Sequence, residues 1–268
     1  MGPITPALVL FACVVGQDQP SSWPMFRGNL QMTGVAPETL PDDIDLIWSK
    51  KIDDSFESTA AIADGVLYVP SLIAGKCYAL SLADGKEVWT YASPDQDPSK
   101  SSPCIAGELV VYGDDVGNVR ALKRSDGAEA WKFAAEGEIV CSPAYIGGKI
   151  LIGGYDNFLY CLEAKTGRLE WKIETGGPVH CSPTLIDGQV AATPALTGTR
   201  LFFGTMTDSV IGVDWKSKTI EWVFKVPNRA FPFYSSPVIA GDLVVIGGRD
   251  KALHALEQAT GKERWQFP

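Results

Sequence analysis

The sequence predicts an all-β fold of the propeller type. Three observations carry that prediction: a phrase repeated every forty-odd residues, short apolar runs punctuated by turn residues, and no long stretch of helical period. The phrase is a small residue with Leu or Val after it, then Asp, Thr or Ser beside Gly, then Trp. It occurs at Ala79, Leu80, Asp84, Gly85 and Trp89, and again at Ala121, Leu122, Asp126, Gly127 and Trp131. It recurs at Cys161, Leu162, Thr166, Gly167 and Trp171, and at Ala255, Leu256, Thr260, Gly261 and Trp265. A further copy, Gly212, Val213, Ser217 and Trp222, has Lys218 where the others have glycine.

At the N-terminal end, residues 1–20 read as a signal peptide. Residues 7–15 form an apolar run too short to span a bilayer, followed by polar residues. No Lys or Arg precedes the run, so a disordered or cytosolic N-terminus is the alternative. Leu10, Phe11, Ala12 and Cys13 resemble a lipobox, which would make Cys13 a lipid attachment point. Residues 21–45 read as an irregular lead-in, broken by Pro37 and Pro41. Residues 46–268 hold the blades. The first element there, residues 46–52, reads as a lone strand carrying Trp48 without the upstream phrase.

Four short strands per unit follow. In the first unit, residues 58–63 and 66–69 flank Asp64-Gly65, a tight-hairpin signal. Residues 76–81 and 87–91 flank the Asp84-Gly85 turn. The second and third units repeat the pattern around Val110, Ala121 and Trp131, then around Leu151, Cys161 and Trp171. Trp48, Trp89, Trp131, Trp171, Trp222 and Trp265 stand 41, 42, 40, 51 and 43 residues apart. The long interval marks the fourth unit, where residues 192–198 read as a second copy of a first strand. They are either an inserted hairpin or the stub of a lost unit. The last unit runs through Val244, Ala255 and Trp265.

A lone four-stranded sheet cannot bury both faces, whereas sheets stacked around an axis bury one another. The small residue then permits close approach, the Gly makes a turn, and the Trp fills the wedge between blades. A docked indole buries on the order of 200 Å². Trp89, Trp131, Trp171, Trp222 and Trp265 are therefore expected to be structural docking residues. Cys77, Cys104, Cys141, Cys161 and Cys181 contain no C-x-x-C pair and read as small packing residues. Cys141 and Cys181 share one repeat position, before Ser-Pro, so a disulfide between them is the alternative. A net charge of −9 with no basic stripe excludes nucleic acid as a natural partner.

The repeated phrase resembles the tryptophan-docking repeat of pyrroloquinoline-quinone (PQQ) type β-propellers, and residues 23–28 resemble the lead-in of their secreted bacterial members. That group includes quinoprotein alcohol dehydrogenases and BamB-like outer-membrane assembly lipoproteins. The family's Asp two residues after the small residue survives only as Asp214; Ser81, Lys123, Glu163 and Glu257 stand in the other copies. The resemblance implies eight blades. Five blades plus a velcro strand at Trp48 then read as a truncated eight-bladed parent forming an open arc, with a closed five-bladed ring as the alternative.

The resemblance also frames function. A quinoprotein would need PQQ, Ca²⁺, a vicinal disulfide and a stacking Trp; the sequence has no adjacent cysteines, and Trp215 is the one Trp assigned neither to the repeat nor to the lead-in. Asp115, Asp156, Asp208 and Asp250 recur between second and third strands and read as turn-capping residues rather than metal ligands. His180 and His254 lack catalytic company, and His254 reads as a packed histidine. Binding is the better expectation. Arg229, Phe231, Phe233 and Tyr234 in the connection to the last blade, with Arg249, Tyr155 and His180, form a candidate aromatic and cationic rim. The alternative is that Phe231 and Phe233 cover a gap beside the irregular fourth blade. The function expected is a non-catalytic exported scaffold without cofactor, residing in the periplasm or at the outer-membrane periphery. Its partner would be a protein of the cell envelope, with membrane contact indirect or through Cys13. A fragment of a PQQ- and Ca²⁺-dependent dehydrogenase is the alternative.

Overall fold

A computed structural model describes residues 22–36, 39, 42–185, 199–228 and 230–268. Among the described residues, twenty strands make five four-stranded antiparallel meanders, each with its strands in chain order. Blade one holds β1 (Ala61–Ala63), β2 (Val66–Pro70), β3 (Lys76–Ser81) and β4 (Glu87–Ala92). Blade two holds β5 (Cys104–Ala106), β6 (Leu109–Gly113), β7 (Asn118–Lys123) and β8 (Glu129–Ala134). Blade three holds β9 (Ala144–Ile146), β10 (Lys149–Gly153), β11 (Phe158–Glu163) and β12 (Leu169–Glu174). Blade four holds β13 (Thr184–Leu185), β14 (Arg200–Gly204), β15 (Ser209–Asp214) and β16 (Thr219–Lys225). Blade five holds β17 (Val238–Ala240), β18 (Leu243–Gly247), β19 (Leu253–Glu257) and β20 (Glu263–Phe267).

The repeated phrase performs two separate packing tasks. Within each blade, the small residue lies directly opposite the Trp: Ala79 faces Trp89, Ala121 faces Trp131, Cys161 faces Trp171, Gly212 faces Trp222 and Ala255 faces Trp265. The ladder shifts register immediately after every one of these pairs, a bulge that bends the outer strand. Between blades, the Trp reaches the next sheet. The indoles of Trp89, Trp131 and Trp222 lie against Gly127, Gly167 and Gly261. Their Nε1–H groups donate to the carbonyls of Arg124, Ala164 and Gln258 at 2.8–2.9 Å.

Residues 46–52 do not form the expected velcro strand, yet Trp48 occupies the same kind of socket. Its ring lies against Gly85 and its Nε1–H donates to Leu82 O at 2.8 Å. Indole docking holds this segment without a ladder partner. Two other members of the docking series depart from expectation. Trp171 is only half-buried, and Trp265 is 41% exposed. The Gly85 socket on blade one is filled by Trp48.

The irregular lead-in is a cap on the axis. Trp23 bridges Ile62 of β1, and the Pro24 carbonyl accepts from the Ile105 amide of β5. The Leu30 carbonyl accepts from Leu185 of β13, and that of Gln31 from Ile239 of β17. Met25 and Met32 are buried in the largest core cluster, which runs through blades two to four. One short segment thereby ties together the innermost strands of four blades. The signal-peptide region, Cys13 and the extra residues 192–198 of the fourth unit lie outside the described residues.

Candidate functional site

The inner strands are stitched together by a hydroxyl row that follows from the Ser-Pro repeat. The amides of Thr59, Ser102, Ser142 and Ser182 donate to the Oγ atoms of Ser102, Ser142, Ser182 and Ser236, at 2.9–3.2 Å. Each bond joins one blade to the next. The residue before each serine serves a different purpose: it accepts from the last amide of the second strand. Ser101 Oγ takes the Gly113 amide at 3.1 Å and Ser235 Oγ takes Gly247 at 2.9 Å. Cys141 and Cys181 occupy the same position, and their sulfurs accept from Gly153 and Gly204 at 3.4 and 2.9 Å. Both cysteines are buried and free, so the interblade disulfide is not formed. Burial pushes the Cys181 thiol up to about 12, which keeps it inert.

One position further back lies the row Glu57, Lys100, Val140, His180 and Tyr234, and these side chains line a cavity of about 340 Å³ at the axis. Connections entering each blade and turns between second and third strands meet on this face. Ile139, Val179 and Phe233 donate backbone hydrogen bonds to Asp114, Gly154 and Thr205 of the preceding blade, at 2.9–3.0 Å. The side chains of the same three residues are buried against Gly113, Gly153 and Gly204. Phe233 is therefore not on the rim. It is 1% exposed and fills the slot that Ile139 and Val179 fill in earlier blades.

Four of the other rim candidates come together. Tyr155 and His180 have ring centroids 6.0 Å apart, and the His180 ring meets Tyr234 edge-on at 5.0 Å. The Arg249 guanidinium lies 5.1 Å from the Tyr234 centroid, within cation–π range. Burial raises the Tyr155 phenol to about 12 and lowers the His180 pKa, so both are uncharged at neutral pH. Phe231 stands apart from this row, 42% exposed, and lines a surface hollow with Arg249 and Lys251. Arg229 lies outside the described residues.

The acidic turn positions divide. Asp156 Oδ1 accepts from the Phe158 amide and its Oδ2 from the Tyr160 hydroxyl, and Asp250 Oδ1 accepts from the Ala252 amide. In blade two the capping residue is Asp114 rather than Asp115, because Asp114 Oδ1 takes the Val116 and Asn118 amides. Asp115 pairs with Lys100 instead, and Asp208 with Lys225. His254 is fully buried between Asp250 and Glu263, at 3.1 and 2.7 Å. A larger buried cluster, unread in the sequence, joins blades one and two: Arg120 meets Asp97, Asp114, Glu129 and the Tyr91 hydroxyl. Its signal was available, since Arg120 sits beside the small residue, where Tyr78, Tyr160 and His254 sit in other blades.

Ca²⁺ and PQQ do not fit this axis. Among the described residues, no group of three or more His, Cys, Asp or Glu side chains converges as a metal site. The cavity lining contains Glu57 as its one carboxylate and no Trp to stack a quinone.

Comparison with known proteins agrees with the repeat. The sequence profile of the family described as outer membrane protein assembly factor BamB matches residues 41–138 and 115–268. The BamB of Legionella pneumophila (strain Paris) is 34% identical over 219 residues, covering 77% of this chain and 55% of that protein. The BamB of Escherichia coli (strain K12) is 35% identical over 91 residues, covering 31% of this chain and 23% of that protein. The chain thus spans between about a quarter and just over half of these curated relatives. Among solved structures, BamB from Moraxella catarrhalis superposes with a TM-score of 0.72 at 18% identity, over 98% of this chain and 75% of that one. Quinohemoprotein alcohol dehydrogenase from Comamonas testosteroni superposes with a TM-score of 0.73 at 18% identity, over 92% and 49% respectively. The second likeness is one of fold, as is the first at that identity. The profile match over most of the chain, with the docking repeat it rests on, places this protein in the outer membrane protein assembly factor BamB family.

Proposed function

We propose that this chain is a non-catalytic, exported propeller scaffold that holds a protein partner in outer-membrane protein assembly. The observation that carries the reading is the row of Tyr155, His180, Tyr234 and Arg249, set on one face by three successive blades. Aromatic side chains with an adjacent Arg supply rigid contact area and a directed charge, the composition of interface hot spots. Family membership supplies the setting, and the acidic net charge fits a protein partner better than a phosphate-bearing one. Residues 1–20 would direct export, and Cys13 would supply a lipid if the lipobox is used.

The double variant Phe231→Ala with Tyr234→Ala tests this directly. It should abolish co-purification with the outer-membrane assembly machinery and leave the melting temperature unchanged, because neither side chain is fully buried. Coupled loss of stability would instead give these residues a covering role. Dye reduction with alcohols after addition of PQQ and Ca²⁺ separates the scaffold from a dehydrogenase; sustained turnover would overturn the scaffold reading.

A further inference from the structure

The axial cavity carries more donors than its own walls use. Ser102, Ser142 and Ser182 are 4, 6 and 5% exposed, and each Oγ is committed as an acceptor to the amide of the preceding blade. Among the described residues, none of the three hydroxyl hydrogens has an acceptor, and neither does that of Ser236 on the same row. A hydroxyl carries one donor as well as its lone pairs, so a buried row of this kind offers several O–H groups to whatever enters. Arg27 from the lead-in cap lines the same cavity, and its guanidinium makes no ion pair among the described residues. Lys100 also lines it but is held by Asp115. The lone carboxylate of the lining, Glu57, is exposed, whereas Ser102, Ser142 and Ser182 are buried.

We infer that the axial cavity binds a small carboxylate, with the Arg27 guanidinium as its charge partner and the Ser102, Ser142 and Ser182 hydroxyls as its donors. Carboxylate accepts through two oxygens with about four lone-pair sites, and Arg meets it with a planar fork. A volume of about 340 Å³ suits a ligand of a few heavy atoms beyond that group. The lead-in cap is hydrogen-bonded to the inner strands of four blades, which places Arg27 in the cavity lining. This site adjoins the rim through His180 and Tyr234 but stands whether or not the rim holds a partner.

The same carboxylate could come from a free organic acid or from the end of a peptide. Isothermal titration with succinate, N-acetyl-alanine and N-acetyl-alanine amide separates these sources. Saturable binding of either acid, with none of the amide, is the expected result. Succinate alone assigns a free diacid, and N-acetyl-alanine alone assigns a peptide terminus. Arg27 has a φ of 55°, a conformation Asn tolerates, so Arg27→Asn removes the charge with the backbone kept. It should weaken binding roughly tenfold or more. Should that variant melt early, Arg27→Lys keeps a point charge without the fork and should weaken binding several-fold. Arg168→Gln, on the exposed surface and outside the cavity lining, should leave binding unchanged. No saturable binding of either acid up to about 10 mM, or binding that both Arg27 variants leave intact, would overturn the inference.

Discussion

The seam between blades two and three and the seam between blades three and four are built from the same phrase, yet only at the first is the indole fully docked. At the first seam, Trp131 is 8% exposed, lies against Gly167 and donates to Ala164. At the second, Trp171 is half-buried, and Lys218 stands where its glycine socket should be. The backbone is not what differs. Gly167 has φ of 71° and Lys218 has φ of 63°, so the turn adopts the left-handed form either way. What differs is the space above it. A Cβ built on Gly167 would stand 2.4 Å from the Trp131 ring, which real atoms do not permit. The glycine therefore has two separable duties, a turn that lysine can be forced to make and a socket that lysine fills.

The largest effect that would break this comparison is Gly167→Ala. It should expel Trp131 and cost about 3–5 kcal/mol, the range for losing a buried aromatic, with left-handed strain included. Urea unfolding measures it; a cost below about 1 kcal/mol would mean the turn alone matters. Next in size is the contrast between two truncations. Trp131→Ala should cost about 3–5 kcal/mol, whereas Trp171→Ala should cost roughly half as much or less, since its ring is already half in water. Equal costs would remove the distinction between the seams.

The blades were legible in the sequence because Trp, Gly and the small residue each answer to a local rule of turn or pairing. Strand-level reading failed where contacts are remote. Residues 46–52 look like a strand because their apolar run is strand-like, but a strand needs a ladder partner, and the segment is held by Trp48 instead. The lead-in cap left no periodic trace, because it works through backbone hydrogen bonds to Ile62, Ile105, Leu185 and Ile239. Phe233 read as a rim residue by composition. Its register with Ile139 and Val179, three residues before Ser-Pro in each unit, was the sign of a buried slot. His180 and Tyr234, one place further on, point to the axis for the same reason. The candidate site was thus half readable: its aromatic row was found, and its serine floor and Arg27 were not.

A smaller effect sharpens the comparison in the opposite direction. Lys218→Gly relieves left-handed strain worth about 1–2 kcal/mol for a residue with a side chain, offset by roughly 0.5–1 kcal/mol of extra glycine entropy in the unfolded chain. The net gain from the turn alone is about 1 kcal/mol or less. If the socket is the missing part, the gain should be larger than this and should fall back to the turn-alone value in the Trp171→Ala background, a coupling a double-mutant cycle reads directly. Additive effects of the two changes would show that Trp171 is half-buried for a reason other than Lys218.

The smallest effect concerns the rim above that seam. Burial, the largest cause, lowers the His180 pKa from its ordinary 6.5, and Lys100 acts in the same direction. With the folded value depressed, the unfolded chain takes up the proton first. The stability linked to His180 is therefore complete above about pH 6.5 and is lost as pH falls through the folded value. Because the ring is only half-buried, solvent screening keeps the loss to a fraction of a kcal/mol. His180→Gln should flatten the stability profile just below about pH 6.5, where the folded and unfolded imidazoles differ, while leaving the acid limb set by carboxylates in place. Trp171→Ala, at the same seam, should shift the whole profile down and keep its slope. Denaturant midpoints across that window distinguish the two: a profile for His180→Gln parallel to the parent would mean that the imidazole is as well solvated in the fold as in the open chain, and that the aromatic row does not enclose it.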